Sequence, residues 1–137
     1  MSREEPCSDR VAGHWAGRRA DLALYKDDYD IRESGNDDVG PYHEYDLGFD
    51  YVAPGTFSDQ RRGYWRYQIS WGGPSEEIRF YGELGGGEAY LDKIEFWFLD
   101  WGDGACIDVT EDEVALWMWG DFHDTESLAY AHRQAFE

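Results

Sequence analysis

The sequence predicts a single α+β domain, in which an antiparallel meander of four or five strands follows one helix and precedes one or two more. Three observations lead to this fold class. The chain has 137 residues, which suits one domain. Apolar and polar side chains alternate along several short segments in its middle. Near the C-terminus, the pattern T-x-x-E opens a helical stretch, as a capping box does.

The N-terminal part of the chain predicts a flexible tail over residues 1–10 and a domain over residues 11–137. A helix is expected from Val11 to Tyr29, because aromatic and aliphatic residues recur there at spacings of three, four and seven. A loop rich in glycine, asparagine and aspartate follows. The apolar positions of this predicted helix are Trp15, Leu22, Tyr25 and Tyr29.

The middle of the chain predicts the strands 44–51, 64–71, 77–84, 93–101 and 105–109. Because strand side chains alternate between faces, Glu44, Asp46 and Asp50 are expected in a row on the solvent side of the first strand. In the second strand, Trp71 is expected on the same side as Trp65, Tyr67 and Ile69. Segment 93–101 is apolar on both faces, which indicates a strand inside the sheet or under helices. The short turns between strands favour a meander.

The C-terminal part predicts two helices. Thr110 is expected to be the N-cap of the first and Glu113 its third residue, and the apolar pattern continues to Phe122. The second is expected to begin at Asp124 or Thr125.

Charge is the strongest feature of the composition, with a formal net charge of −18. Two windows carry this excess: residues 21–50 hold ten acids against two bases, and residues 95–126 hold ten acids and no lysine or arginine. Repulsion of this size opposes folding and exceeds what solubility requires. The clustering indicates an acidic surface that binds a basic partner.

Regularly placed carboxylates can stand in for the phosphates that DNA-binding proteins recognise. The predicted partner-binding residues are the acids of both windows that lie on loops, strand faces and helix ends. They are Asp27, Asp28, Asp30, Asp37, Asp38, Glu44, Asp46, Asp50, Asp100, Asp103, Asp108, Glu111, Asp112, Glu113, Asp121, Asp124 and Glu126. If the protein is such a mimic, reversing the charges of Glu111, Asp112 and Glu113 together is expected to abolish inhibition and to leave thermal stability nearly intact.

Simpler explanations exist for each acidic cluster. Acids at 111–113 also offset a helix macrodipole, and those on the first strand also suit a solvated face. A halophilic source is a third origin of acidity, although it would spread the charge evenly. Arg61, Arg62 and Arg66 are expected to balance local charge.

The sequence contains no catalytic signature. Residues 68–72 lack the first glycine of GxSxG, and an EF-hand alignment of the acidic segment 100–113 puts leucine or tryptophan at the first ligand position. The four histidines lack metal-binding spacing. We therefore expect no enzyme, catalytic residue, cofactor or metal. The two cysteines, Cys7 and Cys106, form no disulfide framework, and no apolar run is long enough for a membrane span. A cytoplasmic location in a bacterial host is expected.

Part of the chain resembles small acidic accessory proteins of bacterial conjugative elements and phages, several of which are anti-CRISPR or antirestriction factors. The segments that carry the resemblance are 49–57, 63–75 and 96–101, which include the aromatic runs Gly63–Gly73 and Phe96–Trp101. The resemblance implies an inhibitor that blocks DNA recognition by a host defence complex. It assigns no functional residue, because these segments belong to the sheet framework.

The expected function is a DNA-mimic inhibitor that binds the basic DNA-recognition surface of a CRISPR–Cas effector or restriction enzyme and blocks target DNA binding. It would contact a Cas or restriction subunit and not nucleic acid or membrane. An immunity protein or antitoxin that caps a basic partner is the first alternative, and a small enzyme is the second. The sequence leaves monomer and homodimer open.

Overall fold

The computed structural model describes residues 5–137 as a five-stranded antiparallel sheet with helices packed on one face. The strand order is β1-β2-β3-β4-β5, so each strand lies beside its neighbour in the sequence. The strands are β1 Gly48–Val52, β2 Tyr64–Ser70, β3 Ser75–Gly85, β4 Glu88–Asp100 and β5 Asp103–Asp108. The helices are α1 Cys7–Asp27, α2 Tyr29–Ser34, α3 Glu113–Asp124 and α4 Ser127–Ala135, with a 3₁₀ turn at Tyr42–Glu44. The predicted α+β class and meander are confirmed.

The core lies between the sheet and the helices. Register pairs Trp65 with Phe80 and Tyr67 with Ile78, and each of these four side chains is at most 2% exposed. Burying each apolar side chain of this size stabilises the folded state by roughly 1.5–3 kcal/mol. The indole Nε1–H of Trp65 donates to the carbonyl of Leu128 at 2.9 Å, which ties α4 to the centre of the sheet.

Helix α1 packs across β4 and β5 through a buried apolar stripe that includes Val11, Trp15 and Leu22. It begins at Cys7, four residues before the predicted start, and the Cys7 N–H donates to the Asp103 carboxylate at 2.8 Å. Residues 1–4 of the predicted flexible tail lie outside the described residues. The helix ends at Asp27, and the short helix α2, which the sequence did not indicate, follows it with Asp28 as its N-cap.

The first strand is shorter than predicted, and the expected row of three acids is wrong. Glu44 lies in the 3₁₀ turn, Asp46 lies in the turn after it, and only Asp50 is in β1. The cause is Tyr45, whose hydroxyl donates to Asp21 at 2.7 Å and accepts from Arg18 at 3.2 Å. These contacts hold the segment against α1 and away from the sheet.

The open face of the sheet, opposite the helices, carries a row of charged side chains in register across all five strands. The row is Asp50, Arg66, Arg79, Glu95 and Asp108. The Arg66 guanidinium makes two hydrogen bonds to Asp50, at 3.0 and 2.8 Å, so this arginine balances local charge as expected. Arg79 is bound to Glu77 at 2.6 Å and lies 4.0 Å from the centre of the Trp97 ring. At Trp97, the second apolar face predicted for β4 is therefore covered by an arginine side chain, and β4 lies inside the sheet between β3 and β5.

The C-terminal helices begin later than predicted. Asp112, and not Thr110, is the N-cap of α3: its carboxylate accepts from Val114 N–H at 2.8 Å and from Ala115 N–H at 3.3 Å. The Thr110 hydroxyl instead accepts from the Ile94 N–H at 3.0 Å and joins the end of β5 to β4. The last helix starts at Ser127, because Glu126 has a left-handed backbone with φ of 63°.

Candidate interaction surface

The two acidic windows of the sequence meet on the helix layer. Arg19, on α1, donates to Asp112 at 2.6 Å and lies 3.7 Å from Glu113, both from the second window. The pKa of Arg19 is raised, first by its hydrogen bond to Asp112 and also by the charges of Glu113 and Asp27. Asp27 comes from the first window. One arginine is thus surrounded by carboxylates that are more than eighty positions apart in the chain.

Acids of the two windows also come close to each other around Tyr42, in the 3₁₀ turn. Its ring packs against Tyr25 and Trp117, with centroids 5.2 and 5.3 Å apart. Burial is the main cause that raises the pKa of Tyr42, and the charges of Asp121 and Asp46 raise it further. These two acids again come from different windows. The pKa of Asp121 is itself raised by burial, with Arg32 acting against the shift and Asp124 adding to it.

We define the acidic surface as two clusters on the helix layer: Asp27, Asp112 and Glu113 around Arg19, near the start of α3, and Asp46, Asp121 and Asp124 around Tyr42 and the end of α3. Asp27, Glu113 and Asp124 have side chains that are 69%, 75% and 84% exposed. Others of the predicted acids are also exposed to solvent. These are Asp28, Asp30, Asp37, Asp38, Glu44, Glu111 and Glu126.

Several predicted partner-binding acids have structural partners within the fold. Asp100 is only 8% exposed and binds Arg10 at 2.7 Å. Asp103 and Asp108 accept hydrogen bonds from the backbone N–H groups of Cys7 and Thr110, both at 2.8 Å. Those hydrogen bonds are the main cause that lowers the pKa of each carboxyl. Asp28, Asp50 and Asp112 act as caps or ion-pair partners, as described above. These carboxylates therefore have roles within the fold, and among them Asp28, Asp50, Asp103 and Asp108 are also exposed to solvent.

A groove of about 620 Å³ beside α1 contains the arrangement that an enzyme would need, an acid next to a histidine. Glu76, only 5% exposed, lies 3.1 Å from Nδ1 of His14 and 2.7 Å from Arg18. Burial alone would raise the pKa of Glu76, but hydrogen bonds from Arg18, Ser70 and His14 outweigh it and lower the pKa. The group is thus held as a carboxylate and is not suited to donate a proton.

The serine in this groove does not complete a catalytic triad. The Ser70 hydroxyl donates to Glu76 at 3.0 Å, whereas a nucleophilic serine would donate to the histidine. The His14 ring instead stacks on Phe98, with centroids 4.1 Å apart. The cluster therefore balances the charge of one buried carboxylate. Within residues 5–137, no group of three or more histidine, cysteine or acidic side chains is placed to hold a metal ion.

Sequence reasoning missed two exposed tryptophans at one end of the sheet. Trp71, predicted at the end of the second strand on the same side as Trp65, instead follows β2 in a turn and is 72% exposed. Trp101 lies in the turn between β4 and β5 and is 88% exposed. The alternating pattern placed both on strand faces. The Trp-Gly pairs at 71–72 and 101–102 were the available signal, because glycine next to the last apolar residue ends a strand.

The comparisons with known proteins give no relative. No protein-family model matches the chain, and neither does any curated protein or solved structure. In the part of the chain that the structure describes, no helix is both long and apolar enough to cross a membrane. The class that the fold and surface define is a small α+β protein with an acidic helix layer.

Proposed function

We propose that the protein is an inhibitor whose acidic surface binds the basic DNA-recognition surface of a bacterial defence complex, a CRISPR–Cas effector or a restriction enzyme, and blocks target DNA binding. The observation that carries this proposal is the meeting of both acidic windows on the helix layer, around Arg19 and Tyr42. Solubility alone does not require such a meeting, since scattered charges would serve equally well.

The mechanism follows from long-range electrostatics. A net charge of −18 steers a cationic groove toward the protein and accelerates association. Once bound, the exposed carboxylates pair with lysines and arginines that otherwise contact phosphates. Because the Debye length shortens from about 10 Å at 0.1 M salt to about 3 Å at 1 M, inhibition weakens as salt rises. The rigid sheet beneath the helices keeps the carboxylates in place without an ordering cost on binding.

The test begins with capture from a bacterial lysate that contains active CRISPR–Cas and restriction systems, at low and at high salt. The captured complex is then purified and its binding of target DNA is measured by gel shift with and without the protein. Loss of DNA binding supports the proposal. Capture of a small basic toxin favours the alternative, an immunity protein or antitoxin. Capture of neither contradicts both.

A matched pair of variants separates the acidic surface from the overall charge. The surface variant carries Asp27→Asn, Glu113→Gln and Asp124→Asn, and the control carries Asp59→Asn, Glu83→Gln and Glu137→Gln. Both lose three negative charges, and all six residues are exposed. If each lost pair contributes about 0.5 kcal/mol, the surface variant should bind roughly tenfold more weakly, and the control should bind nearly as well as the wild type. Equal loss in both would refute a defined surface.

A further inference from the structure

The turn between β4 and β5 places a tryptophan where the backbone disfavours it. Trp101 and Gly102 form a two-residue hairpin loop with φ values of 51° and 78°. Such turns favour glycine, asparagine or aspartate, because a bulky side chain is strained at positive φ. The Trp101 side chain gains no compensating burial, since the residue is 88% exposed. Strain of this kind at an exposed position points to a role outside the fold.

A second exposed tryptophan lies at the same end of the sheet. Register pairs Ser75 with Leu99, so the turn after β2 and the turn after β4 are on the same side. Trp71 is in the first turn and is 72% exposed. Strands β2 and β4 are two strand positions apart, which corresponds to about 10 Å. Both tryptophans therefore lie at the same end of the sheet, and we call this end the tryptophan edge, defined as Trp71 and Trp101.

The negative charges around this edge indicate which kind of partner could bind there. Asp103, two positions after Trp101, is exposed, and Asp100, directly before Trp101, binds Arg10 at 2.7 Å. A second copy of this chain, an anionic lipid surface and a nucleic acid would all be repelled by a protein of net charge −18. A cationic segment would be attracted.

The protein itself shows which cationic group suits a tryptophan. The Arg79 guanidinium lies 4.0 Å from the centre of the Trp97 ring, and that of Arg32 lies 5.1 Å from Trp117. Cation–π contacts are strongest with tryptophan, and arginine makes them more often than lysine. An exposed indole beside carboxylates offers the same contact to another molecule.

We propose that the tryptophan edge is a docking site for an arginine-bearing segment of a basic protein partner. The inference rests on the proposed function for the charge of that partner. It concerns a different region, however, because Cys7 binds Asp103 beside Trp101, whereas Asp27 at the far end of α1 belongs to the acidic surface. A helix of 21 residues is about 30 Å long, so one short peptide cannot cover both.

The direct test uses a tri-arginine peptide amide and a control peptide with citrulline, which keeps the shape and lacks the charge. Nuclear magnetic resonance of the full chain follows the indole Nε1–H signals of Trp71 and Trp101. Shifts with the arginine peptide but not with the citrulline peptide support the proposal. Equal shifts with both, or shifts with neither, overturn it.

The variant Trp101→Gly separates a binding role from a folding role, because glycine relieves the strain and removes the ring. We expect Tm to rise by about 4 °C and the affinity for tri-arginine to fall about fivefold. The control Tyr130→Ala removes another exposed ring, 59% exposed on α4, and should leave the affinity unchanged. A fall in Tm with unchanged affinity would assign Trp101 to the fold and overturn the inference.

The two proposals can fail separately. If the indole signals respond to tri-arginine but the protein displaces DNA from no defence complex, the proposed function fails and the docking site stands. If displacement occurs and the indoles do not respond, the docking site fails and the acidic surface remains.

Discussion

Replacing Asp112 with alanine removes two interactions from the start of α3. The carboxylate caps the helix through the Val114 and Ala115 N–H groups, and it binds Nε of Arg19 at 2.6 Å. Loss of an N-cap costs about 1 kcal/mol. The ion pair is partly exposed, with side-chain exposures of 35% for Arg19 and 17% for Asp112, and contributes up to about 1 kcal/mol. We expect Asp112→Ala to lower the free energy of unfolding by about 2 kcal/mol, which lowers Tm by about 7 °C.

Two further variants separate the cap from the charge. Asparagine is as good an N-cap as aspartate, so Asp112→Asn should lose only the ion pair, under 1 kcal/mol. Glu113, which is 75% exposed and 3.7 Å from Arg19, should be replaceable by alanine at a cost below about 0.5 kcal/mol.

Urea unfolding followed by circular dichroism measures all three variants. If the shift in urea midpoint at unchanged m corresponds to a loss of less than about 0.5 kcal/mol for Asp112→Ala, the reasoning is refuted. Because Asp112 caps α3, we expect that reversing charges 111–113 also lowers stability, unlike the expectation from the sequence. A binding test that includes Asp112 would confuse unfolding with loss of contact.

The remaining predictions concern one backbone contact, one ion pair and one histidine. Gly82→Ala would bring a Cβ atom into collision with the Tyr90 carbonyl oxygen and should lower the free energy of unfolding by about 2 kcal/mol. Gly13→Ala meets nothing within 4 Å and should raise the free energy of unfolding by about 0.5–1 kcal/mol. Thermal unfolding of both variants should therefore show a lower Tm for the first and a higher Tm for the second. Arg18→Ala removes the main partner of buried Glu76 and should cost about 3 kcal/mol in urea unfolding, while Arg133→Ala at the exposed end of α4 should cost little. His123 binds Glu88 at 2.9 Å, and this hydrogen bond raises its pKa above the ordinary value of 6.5. Because the folded pKa exceeds the unfolded one, the stabilisation is complete below pH 6.5 and is lost as pH rises through the folded pKa. His123→Gln should therefore lower Tm more at about pH 6 than at about pH 8, and an equal effect at both would contradict the assignment.

The strands were predictable because their side chains obey a local rule. Alternation along 64–71 and 77–84 corresponds to β2 and β3, where Trp65 and Phe80 face the helices. The same rule failed at 44–47, where alternating aromatic residues imitate a strand but Tyr45 is held by Asp21 and Arg18 of α1. A contact between residues more than twenty positions apart leaves no trace in a pattern of period two.

For the acidic surface, the sequence could predict the number of negative charges but not where they lie in the fold. The sequence indicated two acidic windows, and the structure brings members of both together. It did not show that Asp100, Asp103 and Asp112 are used by the fold, because their partners are Arg10, Cys7 N–H and Arg19, about ninety positions away. Helix capping alone favoured Thr110, but the Thr110 hydroxyl is bound to the Ile94 N–H of β4, and Asp112 caps the helix while binding Arg19.

The position of α1 has a consequence for how the chain is made. The meander pairs only neighbouring strands, so it can assemble in the order in which a ribosome releases it. Helix α1 precedes the sheet in the chain, yet it packs on β4 and β5, and its bond to Asp103 spans 96 positions. During translation the apolar stripe of α1 therefore stays exposed until β4 and β5 have been made, and only then can α1 pack against the sheet.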